Sequence, residues 1–276
     1  MTLNKDLFLS QLDDAMIEAL RHVHVNVPWK LFPDYLQVVL DLRINIEIGI
    51  EGDQLDGTPR SMFQSTAEKL HRNGCGITLH GPFWDLSPGS SDRLVRQASQ
   101  FRYHQLFDLV EIFEPIQVVC HTGYDPNHHG NDHRFYLDRS LAVWEPIAGR
   151  AETYGVPLLF ENVWEQGPEL HRDLFGRLNG HHFGFCLDVG HQHTFSNTSL
   201  GTWIAALGDF LKEVHMHDND GLGDDHLPVG QGTIDFGSLF RLLHERSIKP
   251  VLTLEPHREE HFAESLAGLV KVMHLE

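Results

Sequence analysis

The chain of 276 residues is short of several features that would place it in a familiar class. Its three cysteines, Cys75, Cys120 and Cys186, are scattered with no Cys-x-x-Cys spacing, which argues against a disulfide framework. It has no long apolar run. The N-terminus opens with Asn4, Lys5 and Asp6 and reads neither as a signal peptide nor as a spanning helix, so a cytoplasmic protein with no membrane partner is expected. Basic residues are scarce: 21 Lys and Arg stand against 39 Asp and Glu, for a net charge of −18. A surface that tracks nucleic acid needs clustered Lys and Arg, so this balance argues against a nucleic-acid partner. There is also no linker-like stretch, low-complexity segment or internal repeat, and residues 1–276 read as one domain.

What the chain does have is histidine, 21 in all, with no run at either end that would mark a purification tag. The apolar fraction of 41% is ample for a large core. Short runs rich in apolar and β-branched residues predict eight strands, at His22–Pro28, Ile44–Ile50, Gly76–His80, Ile116–His121, Val156–Asn162, Phe183–Asp188, Glu213–Asp218 and Pro250–Glu255. Segments of helical period alternate with them, among them Phe32–Asp41, Arg60–Asn73, Asp92–Phe113, Asp138–Tyr154 and Phe236–Arg246. The strands are almost continuously apolar, as expected when both faces of a parallel sheet are buried. Eight such units over residues 22–276 predict a (β/α)8 TIM barrel, with an extra amphipathic helix, Leu7–Leu20, ahead of the first strand.

Six of these strands end in the same chemistry. Strands three to eight close on His80, His121, Glu161, Asp188, His215 and Glu255, and His191, Asp224 and His226 follow on adjoining loops. In a (β/α)8 barrel the C-terminal strand ends converge on one face, so these scattered residues become a single site. Imidazole and carboxylate together are what a divalent cation needs. One such histidine could equally be a satisfied core residue. Six consecutive strands ending this way point to metal. Four carboxylates crowded at one mouth would also repel one another without cations.

The motifs HGPFWDLSPGS, VCHTGY, FENVWE, CLDVGH, VHMHDNDG, DDHLPVGQG and LEPH, in that order, resemble the xylose-isomerase-like TIM-barrel superfamily. That group holds sugar isomerases, sugar 3-epimerases and apurinic endonuclease IV. The resemblance to endonuclease IV implies three zinc ions. His80 and His121 would hold the first, Glu161 would bridge to the second with Asp188, His215 and Glu255, and His191, Asp224 and His226 would hold the third. The resemblance to the isomerases implies a single ion on Glu161, Asp188, His215 and Glu255. There the two glutamates move a proton and His191 contacts substrate. One to three ions, zinc or manganese, are therefore expected.

Two readings of the chemistry follow, and a third stands apart. One divalent ion with Glu161, Asp188 and Glu255 leaves about −1, which suits a neutral sugar; three ions with all four carboxylates leave about +2, which suits a phosphate. The segment NVPWKLFPDYL after the first strand lacks the Gly-rich loop that endonuclease IV presents to DNA, and the loops around the predicted mouth are not basic. A sugar or sugar-phosphate isomerase or epimerase is the leading expectation, with a small-molecule sugar or phospho-sugar as partner. A phosphoester hydrolase with two or three metals comes second, and a non-catalytic metal-binding protein third. Trp84, Trp164 and Arg258 are the candidate substrate contacts, with Phe83 and Phe195 beside the ligand positions. Arg93, Arg96 and Arg134 join Arg258 as candidate phosphate contacts, and His128, His129 and His133 as candidate lid residues. His193, His217 and His257 flank the ligands, and Gly230 and Gly232 are expected to serve loop geometry.

Overall fold

A computed structural model describes residues 11–130, 132–178 and 182–273. Eight strands close into a parallel barrel in sequential order. They are β1 (His24–Pro28), β2 (Asn45–Gly49), β3 (Ile77–His80), β4 (Val118–His121), β5 (Leu158–Glu161), β6 (Phe183–Asp188), β7 (Leu211–Met216) and β8 (Val251–Leu254). Closure is made where His24 and Val25 of β1 pair with Thr253 and Leu254 of β8.

The strand–helix alternation matches the expected layout, with local differences that have physical causes. The helix before β1 runs Asp14–Leu20 and starts where Asp13 accepts the Met16 N–H at 2.8 Å, so Gln11 to Asp13 are not helical; the predicted segment at 7–10 lies outside the described residues. The single helix expected over Asp92–Phe113 is two, Arg93–Phe107 and Val110–Phe113. The helix expected from Asp138 begins a turn earlier, at His133, where Asp132 caps it, and runs through Pro146 to Tyr154. β7 sits two residues earlier than expected. His217 and Asp218 therefore lie beyond its end.

Alternation along the strands divides the interior in two. Most apolar side chains pack between barrel and helices around Trp144, Trp203, Phe107, Phe160 and Phe185, all fully buried. A separate small cluster of Val119, Leu159 and Cys186 comes from the opposite strand phase. In that same phase lie buried polar groups: Glu47, Thr78, Glu213 and Thr253, and above them His80, Glu161, Asp188 and His215. The register sets His121 beside Glu161 and Asp188 beside His215 across neighbouring strands.

Candidate metal centre

β3, β4, β5 and β6 each end on an expected residue, His80, His121, Glu161 and Asp188. His215 is the penultimate residue of β7, and Glu255 is the first residue after β8. His191 lies on a short helix rather than a loop: Val189–Phe195 is capped by Asp188 itself, whose Oδ1 accepts the His191 N–H at 2.6 Å. Asn162 braces this corner, donating to the Asp188 carbonyl and accepting the Asp188 N–H, each at 2.9 Å.

The structure brings all nine expected residues together. Glu161 is the hub. Its Oε2 lies 2.9 Å from His80 Nε2, 3.3 Å from His121 Nε2 and 3.5 Å from His215 Nδ1, while Oε1 lies 3.2 Å from His191 Nδ1. His215 Nδ1 also faces Glu255 Oε1 at 3.3 Å and Asp188 Oδ2 at 3.9 Å. On the outer side, Asp224 Oδ2 lies 3.3 Å from His191 Nε2 and 3.2 Å from His226 Nε2. Donors on one tetrahedral zinc ion at its usual bond lengths stand roughly 3.3 Å apart, and several groups of three or four of these side chains bring their donor atoms within 4.8 Å of one another, close enough to hold a cation.

The hydrogen bonds make the same case. His80 Nδ1 faces the Gly81 carbonyl at 3.0 Å, His191 Nδ1 the Asn162 carbonyl at 3.0 Å, and His226 Nδ1 the Glu255 carbonyl at 3.3 Å. A carbonyl only accepts, so these nitrogens carry a proton, and in the neutral ring Nε2 is left as a lone pair. In each ring that lone pair points at a carboxylate oxygen. Acceptor facing acceptor is repulsive unless a proton or a metal cation stands between, and a ligating imidazole characteristically donates its far N–H in this way. Both ring nitrogens of His215 are buried without a hydrogen-bond partner, which fits a metal donor equally well.

Without a cation the same groups must share protons. Burial opposes charge on His80, but its hydrogen bond and charge interaction with Glu161 prevail and raise it to about 9. Glu161 is held well below the usual carboxylate range: burial pushes it up, and the surrounding His121 and His215 pull it down further. Asp188 falls to about 2 for the same reasons, with His191 and His217 as its partners. Glu255 moves the other way, raised chiefly by burial.

Several contributors were not among the expected site residues. Glu47, on β2 and fully buried, places Oε1 3.3 Å from His215 Nε2 and accepts Asn26 Nδ2 at 2.9 Å. Glu213 lies beside it, accepting Gln117 Nε2 at 2.7 Å and the Thr253 hydroxyl at 2.5 Å. Glu165, buried after β5, accepts the Thr122 hydroxyl and the Val163 N–H, and burial raises its carboxyl to about 7. Asp218 receives four backbone N–H groups, from Asn219, Gly230, Gly232 and Ile234 at 2.9–3.1 Å, and so shapes the loop that presents Asp224 and His226. His226 itself is held at φ 47°. The expected loop role of the glycines agrees: Gly230 has φ 84°, and a Cβ on Gly232 would meet Asn219 O at 2.3 Å.

Other expected residues fall elsewhere. Phe83 stacks on His121 with ring centroids 4.5 Å apart, and Trp84 leans on Phe83 with 72% of its surface exposed. Trp164, 43% exposed, packs on Phe195, which leans on His191. Arg258 lines a neighbouring apolar cavity of about 100 Å³ with Val25, Tyr35 and Phe262; His257 lines it too and stacks on His226. Arg96 donates to the Ser90 and Ser91 carbonyls, and Arg134 pairs with Asp132. Of the expected lid histidines, His129 stacks on Tyr124 and lies 3.0 Å from the Ser87 hydroxyl, and His133, the first residue of its helix, pairs with Asp173 at 2.9 Å. His193 meets Thr233 at 2.9 Å.

With this geometry in place, likeness to known proteins is informative. The family model described as xylose isomerase-like TIM barrel matches residues 45–272. An uncharacterised protein of Methanocaldococcus jannaschii is 28% identical over 186 residues, 65% of this chain and 64% of its own length. A probable endonuclease 4 of Mycoplasma pneumoniae is 29% identical over 144 residues, 45% of this chain and 50% of its own. The chain thus spans between half and two-thirds of those relatives. Among solved structures, a Thermus thermophilus protein soaked with zinc chloride is 27% identical, with TM-score 0.76 over 92% of this chain and 97% of its own. A D-tagatose 3-epimerase-like protein, 24% identical, shares the fold with TM-score 0.80 over 92% and 98%.

Proposed function

Because the chain belongs to the xylose isomerase-like TIM-barrel family, we propose that it is a divalent-metal-dependent isomerase or epimerase of sugars or sugar phosphates. The observation that carries the proposal is the meeting of Glu161 and Glu255, from β5 and from beyond β8, within 3.5 Å of the same His215 nitrogen. Asp188 completes the set. Zinc or manganese suits these nitrogen and oxygen donors.

A divalent ion held by Glu161, Asp188, His215 and Glu255 would polarise a carbonyl and its neighbouring hydroxyl, acidifying the carbon-bound proton between them. Glu161 and Glu255 then act as base and acid, removing that proton and returning one. With that single ion bound and the outer donor set empty, His191 Nε2 contacts a substrate oxygen, the ring being oriented by Asn162 and the Asp188 cap. Trp84 and Trp164 flank the mouth as faces on which a sugar ring can stack.

The test is solvent deuterium. The metal-loaded protein is incubated in D2O with a panel of ketoses and phospho-ketoses, and products are read by NMR. Proton transfer through exchangeable glutamates places deuterium on the carbon next to the carbonyl. Phosphate release from any phospho-sugar with carbon-bound hydrogens untouched would favour hydrolysis instead. That second reading, a phosphoester hydrolase, draws on the outer donor set of His191, Asp224 and His226 and on the likeness to the Mycoplasma protein. It predicts cleavage of abasic duplex DNA at physiological salt. The leading reading predicts none.

A further inference from the structure

His217 repeats the arrangement that marks His80, His191 and His226. Its Nε2 lies 3.1 Å from both oxygens of Asp188, a group that only accepts, so a ring proton sits there. In the neutral ring Nδ1 is then a lone pair. That atom is buried, has no hydrogen-bond partner, and points at Asp224 Oδ1 at 3.7 Å. Asp224 Oδ1 is likewise buried without a partner. Two unsatisfied acceptors facing each other in a buried place mark a position for a cation. The ring is also held closely: it packs so tightly on Gly190 that a Cβ there would come within 2.0 Å of His217 Cε1.

We propose that His217 Nδ1 is a fourth protein donor of the outer ion site, together with His191, Asp224 and His226. The donor atoms of these four residues all lie within 4.8 Å of one another. The rings of His217 and His226 stack at 3.7 Å, 10° from parallel, and address different oxygens of Asp224. Sharing one ion requires the two rings to splay apart. Four protein donors close a tetrahedral shell and leave no position for water, so the outer ion fixes His191 and the loop rather than generating a nucleophile. This separates the site from a hydrolytic centre, in which an ion must stay open to phosphate.

The inference rests on the metal reading above, but its test counts ions and reads no turnover, so its failure leaves the isomerase proposal to be judged by deuterium. Full-length protein freed of metal is titrated with zinc against a chromophoric chelator. His217→Ala should lose one ion per chain, or bind its weakest ion about tenfold or more less tightly. His217→Asn, which can still offer an N–H to Asp188 but no imidazole donor, should not restore the loss. Rescue by asparagine would show that His217 acts only through Asp188 and overturn the proposal. So would unchanged zinc binding in His217→Ala, or a wild-type protein that binds no zinc. A wild-type measurement guards against misfolded variants: on zinc addition the ¹⁵N resonance of His217 Nδ1 should move together with those of His191 and His226, and an unmoved resonance sinks the idea.

Discussion

Glu47 governs how firmly His215 is held. It lies behind the ring, at the nitrogen turned away from Glu161, Asp188 and Glu255, fixed in turn by Asn26 and by the Thr78 hydroxyl at 3.4 Å. Carboxylates in this relation to a ligating imidazole orient it and raise its basicity. Glu47→Gln is expected to weaken metal binding about 10- to 100-fold with the fold intact, as read by chelator competition. Glu165 offers a test by pH. Its folded carboxyl titrates near 7 because it is buried, against an ordinary value of 4.5. A carboxyl raised on folding contributes stability that is full below pH 4.5 and lost as pH climbs toward 7. Glu165→Gln should therefore gain on the wild type by about 3 kcal/mol between pH 4.5 and 8, seen in urea midpoints. Midpoints that shift in parallel would contradict this placement of Glu165.

The element that matters most for the outer site is the loop at 217–234. Its frame is Asp218, whose carboxylate gathers four N–H groups and whose backbone pairs with Leu227 in both directions at 2.8 Å. Asp218→Ala removes a buried acceptor and orphans those donors. It should cost about 3 kcal/mol and lower the metal content by the outer ion, measured by urea unfolding and by metal analysis. Elements were also where the sequence was most and least legible. Strands buried on both faces announce themselves as apolar runs, and their ends carried the candidate ligands. Val189–Phe195 did not announce itself, because seven residues hold too little period and the helix depends on its Asp188 cap. Glu47 was invisible for the opposite reason: inside the strand NIEIG one glutamate breaks an apolar run with nothing to say which way it faces. His217 sat among the expected flanking residues because HMHDND offers two histidines and only the fold gives their directions.

At the scale of the whole molecule, the proposed metal would act together with charge. The chain carries −18, and the barrel mouth concentrates buried carboxylates within it. Ions that bind only the folded state stabilise it by mass action, about 2.7 kcal/mol at one hundred times the dissociation constant. For a chain of this size that is roughly 5–10 °C in melting temperature. Chelator should lower the midpoint by that order in a thermal scan, and added zinc or manganese should restore it. Among the described residues no helix is long and apolar enough to cross a membrane.

The central claim is that the barrel mouth is a metal centre built around Glu161. Anomalous X-ray diffraction from crystals of protein purified without chelator tests it most directly. The account predicts at least one anomalous peak about 2.0–2.3 Å from donor atoms of Glu161, Asp188, His215 and Glu255, with a further peak at His191, Asp224 and His226 when the outer site is filled. A map from metal-replete crystals with no peak at the mouth, or with Glu161 and Glu255 turned away from a shared position, would contradict it.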